Sequence, residues 1–230
     1  MNLIRHADPA ALADALSARI AARLRDRLQR DGRAALAVSG GRTPAALLRS
    51  LSRQPLAWSA VTVTLVDERW VDESSPRSNA AMVRATLLQD VASAATFMPL
   101  QAAGLSLEAG RDRAEAALAA LPRPFAAVVL GIGDDGHTAS FFPGGDRLAQ
   151  ALDPQGPRRV ETMEAPGAGE PRITLTLPAL LDTDLLAIHI EGAGKERVLA
   201  AACGDGPIAD MPIRAVLRQA RTAFEIHWCP

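Results

Sequence analysis

The chain of 230 residues has two cysteines, no long apolar run and a formal net charge of -1. Cys203 and Cys229 lie 26 positions apart, without the paired spacing of a zinc site or the density of a disulfide framework. Reduced thiols and no metal are therefore expected. Runs such as "AAVVL" and "LLAIHI" are too short to span a bilayer, and "MNLIRHADPA" lacks the apolar core of a secretory signal. The expectation is a cytoplasmic protein with no membrane partner. With charges nearly balanced, no overall field gathers nucleic acid, so an anionic ligand must be gripped locally.

The remaining composition, 48% hydrophobic and 22% charged, is that of a globular protein long enough to bury a sizeable core. After Asp8 and Pro9, Leu12, Leu16, Ile20, Leu24 and Leu28 recur every four residues, predicting a long amphipathic helix that Gly32 ends. "AALAVS", "VTVTLV", "AAVVLG", "RITLTL", "LLAIHI" and "TAFEIHW" read as strands. Helices are expected after "SGGRTP", over "RSNAAMVRATLL" with Val83, Leu87 and Val91 on one stripe, over 106–120, and over "AGKERVLAAAC" and "IRAVLRQ". Such alternation predicts an α/β, Rossmann-like fold, a mostly parallel sheet with helices on both faces. No linker divides the chain, so 1–230 is expected to be one domain. Between Pro143 and Pro171, frequent proline and glycine predict a loop-rich excursion with a short strand around "RRVETM", possible material for a lid.

In a parallel sheet, sites lie beyond the carboxyl ends of the strands, so segments 39–43, 67–69 and 131–137 should converge. The third, "GIGDDGH", fits G-x-G-x-x-G to the letter, which suggests a dinucleotide. Asp134 and Asp135 oppose that reading, because they set fixed negative charge where a pyrophosphate would lie, and the region around Asp153 reads as loop rather than as the required second strand end. A histidine two residues after an aspartate instead suggests a general base, His137, supported by Asp135. His6, His189 and His227 are taken as structural. "SGGRTP" lacks a Walker lysine, yet Gly40 and Gly41 could aim backbone N–H groups at a phosphate, with the Ser39 hydroxyl beside them. A turn that needs glycine for conformation alone weighs about equally. Arg69 offers a planar fork and Asp67 a group to orient it or another site group, while Arg172 and Lys195 stand at element junctions.

Together, "SGGRTP", "VDERWV", "SNAAMVRATLL", "LGIGDDGHTASFFPG", "RITLTLPALL" and "GKERVLAAA" resemble the 6-phosphogluconolactonases, in order from about residue 34 to the C-terminus. The related glucosamine-6-phosphate deaminases resemble "IAFNEP" after the histidine, where this chain has "TASFFP". The resemblance implies a cofactor-independent enzyme of the oxidative pentose phosphate pathway that hydrolyses 6-phosphogluconolactone, a small phosphorylated sugar lactone, to 6-phosphogluconate. It implies His137 as the base that activates water and Asp135 as its support. Arg69 and Lys195 become the phosphate cations, Ser39, Gly40 and Gly41 the glycine turn, and Asp67 the acid of the second strand end. Arg172 matches a motif of the wider superfamily. Asp134 stands where glutamate is frequent. A deaminase or isomerase on the same fold and a non-catalytic sugar-phosphate sensor are the alternatives, with a nicotinamide oxidoreductase behind them.

Overall fold

The computed structural model describes residues 2–230, with ten strands and eight α-helices among them. The first half runs β1 (Asn2–Arg5), α1 (Pro9–Asp31), β2 (Ala34–Val38), α2 (Ala45–Ser52), β3 (Val61–Leu65), β4 (Asp67–Arg69), α3 (Asn79–Thr86) and β5 (Thr96–Met98). The second half runs α4 (Leu107–Ala119), β6 (Ala127–Leu130), α5 (Leu148–Leu152), β7 (Val160–Met163), β8 (Arg172–Leu175), α6 (Leu177–Leu181), β9 (Leu186–Glu191), α7 (Gly192–Cys203), α8 (Ile213–Arg218) and β10 (Phe224–Cys229).

Helix α1 forms where its pattern and punctuation require. Asp8 caps it through Oδ1 to the Ala11 N–H at 2.8 Å, Pro9 opens it, and Gly32 closes it at φ 70° with its N–H on the Leu28 carbonyl. Leu12, Leu16, Ile20 and Leu24 are fully buried, each contributing about 1.5–3 kcal/mol of apolar burial.

Seven strands make one parallel sheet in the order β1-β10-β9-β6-β2-β3-β5. Every residue of β2 and β6 is buried, so helices cover both faces, as their unbroken apolar runs demand. From β2 the chain builds outward through β3 and β5, whereas β6, β9 and β10 lie on the other side. The switch therefore falls between β2 and β6, and a crevice opens beyond their carboxyl ends.

Several details differ from the sequence expectations. "RITLTL" does not extend the parallel sheet: β8 is the middle strand of a separate antiparallel sheet, β4-β8-β7. "DER", just past "VTVTLV", forms the edge strand β4 of that sheet, with Arg69 opposite Arg172. Strands β1 and β5, too short to stand out by pattern, complete the ends of the parallel sheet. The helix over "RSNAAMVRATLL" stops at Thr86, and Asp90 takes a left-handed φ of 47°, so Val91 leaves the stripe and is 52% exposed. The excursion at 143–171 holds α5 and the expected short strand, β7.

Candidate active site

Beyond the ends of β2 and β6 lies a cleft of about 260 Å³. The three segments expected to converge do so: Ser39, Gly40, Gly41, Asp67, Arg69, Gly131 and His137 line it, joined by Arg172 and Lys195. Asp135 stands behind His137.

The loop after β6 places His137. Its backbone N–H and ring Nδ1 both meet Asp135 Oδ1, at 3.0 and 2.6 Å. The hydrogen bond from His137, outweighing partial burial, pushes Asp135 down to about 2. An ionised carboxylate only accepts, so Nδ1 carries a proton, and in the neutral imidazole the lone pair is then on Nε2. Phe142 stacks on the imidazole with centroids 4.3 Å apart, and the Arg172 guanidinium lies 5.2 Å from the far ring's centre. Gly133 closes the loop: a Cβ there would stand 2.0 Å from His137 Nδ1. Gly133 thus makes room for the imidazole.

The small sheet supplies the opposing wall. Asp67 Oδ2 accepts from Ser140 Oγ at 2.6 Å and lies 3.9 Å from Arg172 Nη1. Arg172 Nη2 donates to the Ala168 carbonyl at 2.5 Å, and burial pushes the guanidinium's pKa down. Arg69 Nη1 donates to the Arg77 carbonyl at 2.5 Å. The Nε atoms of Arg69 and Arg172 are buried without partners.

Two residues that sequence reasoning passed over hold this wall in place. Glu68, buried, accepts from the backbone N–H groups of Arg69, Asn79 and Ala80 at 2.7–2.9 Å and from Ser78 Oγ, tying β4 to the start of α3. Burial pushes its carboxyl pKa up against those bonds. Asn79 donates from Nδ2 to the Asp67 carbonyl at 2.9 Å, and its amide packs on Gly40 so closely that a Cβ would stand 1.8 Å from Oδ1. Ser78 caps α3 by accepting from the Ala81 N–H, which leaves the Asn79 amide for these contacts.

Ser39 Oγ donates to the Val129 carbonyl at 2.7 Å, pinning β2 to β6. Lys195, in the first turn of α7, binds Asp134 Oδ1 at 2.6 Å, which lowers the pKa of that carboxyl. Asp134 is 93% exposed, so the pair is weakly held and an anion can compete for the lysine. A cation at a helix N-terminus opposes the helix dipole, so helix stability does not explain its place. His189, taken as structural, also lines the cleft, with Glu191.

The sequence model for glucosamine-6-phosphate isomerases/6-phosphogluconolactonase matches residues 7–228. The chain belongs to that family. It is 54% identical over 223 residues to a 6-phosphogluconolactonase of Rhizobium meliloti, covering 97% of this chain and 96% of the relative. It is 46% identical to one of Pseudomonas aeruginosa, covering 94% and 89%. A crystal structure of a 6-phosphogluconolactonase from Shewanella baltica superposes with a TM-score of 0.96 at 39% identity, covering 100% of this chain and 98% of that one. A monomeric glucosamine-6-phosphate deaminase superposes with a TM-score of 0.80 at 18% identity over 100% of this chain and 97% of that one, a likeness of fold alone. No helix among the described residues is long and apolar enough to cross a membrane, and no group of three or more His, Cys, Asp or Glu among them could hold a metal ion.

Proposed function

We propose that the chain hydrolyses 6-phosphogluconolactone to 6-phosphogluconate, with His137 as the general base. The observation that carries the reading is the His137–Asp135 pair, Nδ1 bonded and Nε2 free, on a cleft that also presents Arg69, Arg172 and Lys195. Nε2 takes a proton from water as the water oxygen attacks C1, and the carbonyl electrons move onto oxygen. As that oxyanion collapses, the C1–ring oxygen bond breaks and the imidazolium returns its proton to the departing oxygen. The new carboxylic acid then ionises. No covalent enzyme intermediate is formed, and no group beyond the chain's own residues is required.

The phosphate is the remote handle. Lys195, Arg69 and Arg172 supply positive charge for it, and the Ser39–Gly40–Gly41 turn supplies backbone donors, so binding at C6 orients C1 toward His137. Asp67 orients Arg172 and anchors Ser140. The close family relatives support this substrate by their names, and the "TASFFP" segment after His137 supports the lactonase over the deaminase.

The test is a coupled assay with freshly made lactone beside glucosamine 6-phosphate, for wild type and His137→Asn. Expected are lactone hydrolysis without ammonia release and a fall of ~10²- to 10⁴-fold in the variant. Ammonia release at a comparable rate, or a variant as active as wild type, would overturn the reading.

A further inference from the structure

A second polar pair lines the cleft, and water activation does not use it. His189 and Glu191 stand two residues apart on β9, so both side chains leave the same face of the strand. Glu191 Oε1 lies 2.9 Å from His189 Nε2. Burial, helped by the nearby His6, pushes His189 down to about 4, so the imidazole is neutral near pH 7. Beside a carboxylate a neutral imidazole donates, so Nε2 holds the proton and Nδ1 is left as a buried acceptor without a partner.

Glu191 also declines the bond its position offers. It is the N-cap residue of α7, where an acid ordinarily accepts from the first-turn N–H groups, yet its side chain makes no capping bond. The carboxylate is turned to His189 instead. The His189 side chain is 2% exposed and that of Glu191 25%. Oε1 is thus committed to a buried donor, while Oε2 receives no hydrogen bond from the described residues.

A carboxylate oxygen is an acceptor only, and it repels a phosphate. The groups of a sugar lactone with protons to give are its ring hydroxyls, at C2, C3 and C4. We infer that Glu191 is a specificity-determining residue, its Oε2 accepting a hydrogen bond from one ring hydroxyl, with His189 as the positioning residue that fixes the carboxylate. This rests on the lactone reading and names the part of the substrate that the phosphate grip leaves unread. A site built to bind a hydroxyl rejects the analogue that lacks it.

The experiment measures kcat/KM on 6-phosphogluconolactone and on its 2-deoxy, 3-deoxy and 4-deoxy analogues. Glu191→Gln keeps the shape, but the amide oxygen is drawn to the His189 N–H and the NH₂ faces the cleft, turning an acceptor into a donor. The variant should lose about 10- to 100-fold on the parent lactone. Wild type should lose a similar factor on one deoxy analogue, and on that analogue wild type and variant should be equal. Glu191→Asp, which shortens the reach but keeps the charge, serves if the amide variant does not fold, and should show the same substrate-dependent pattern. His189→Asn should show it too, whereas a merely structural role would lower all four substrates alike. No loss in the Glu191 variants, or equal loss on all four lactones, overturns the inference. Wild-type inactivity on every phosphorylated lactone would instead sink the lactone reading itself.

Discussion

Asp135 Oδ1 accepts two hydrogen bonds from one residue, the backbone N–H and the ring Nδ1 of His137. This fixes both the loop and the tautomer. Asp135→Asn presents an NH₂ to Nδ1 or gives up the backbone bond, favouring a proton on Nε2 where the base needs a lone pair. The expected result is a fall in kcat of ~10²- to 10⁴-fold with KM little changed. Because Asp135 is held at about 2, its ionisation should leave no inflection in the pH–rate profile above about pH 3. Blank-subtracted hydrolysis at mildly acidic to neutral pH checks both.

Lys195→Ala should weaken hydrolysis of the phosphorylated lactone by about 10- to 100-fold in kcat/KM, as loss of a charged contact does. Unphosphorylated gluconolactone, with nothing for the lysine to hold, should be little affected. Equal loss on both substrates would move Lys195 from the phosphate to the reacting carbonyl. The same pair of substrates decides the matter for Arg69→Ala.

Gly40→Ala should damage stability and activity together. Its Cβ would stand 1.8 Å from Asn79 Oδ1 and 2.0 Å from Cγ, and Asn79 cannot move without releasing the Asp67 carbonyl. Overpacking of this kind costs about 1–3 kcal/mol. Urea denaturation measures the first effect and kcat/KM the second.

The buried histidines set an acid limit. His189 has a folded value of about 4 against 6.5 for the free group, so the folded state resists its protonation. Its contribution is complete above about pH 6.5 and declines as the pH falls from there to about 4, by on the order of 3 kcal/mol. Burial lowers His6 and His227 as well, which adds to the decline. Urea midpoints followed across that range should fall in wild type, and His189→Gln should flatten the slope.

What was legible in the sequence was local. "AALAV" and "AVVL" announce buried parallel strands because each is apolar throughout, and "GDDGH" carries its own acid beside its histidine. What was hidden depends on partners distant in sequence. Nothing near "DER" shows that Arg69 pairs with Arg172 across 103 positions, and three consecutive charges look like a solvated loop until the ladder and the N–H donors of α3 are in view. Asn79 is silent in the sequence because its contact with Gly40 arises only when β2 and α3 are brought together. His189 sits in an apolar run and looks like core. It becomes a cleft residue only because it lies near the carboxyl end of its strand.

The cleft is a seam. Ser39, Gly40, Gly41, His137 and Lys195 belong to the parallel sheet and its loops, while Asp67, Arg69 and Arg172 ride on the antiparallel one. The stitches that join the two at this point include Ser140 Oγ to Asp67 and the Leu175 N–H to the Val66 carbonyl. The cations that hold the substrate are therefore divided between the two sheets, Lys195 on one side and Arg69 and Arg172 on the other. A slip of one sheet along the other would part Arg69 and Arg172 from Lys195 while leaving His137 on Asp135, so the alignment of the seam governs the grip before it touches the base.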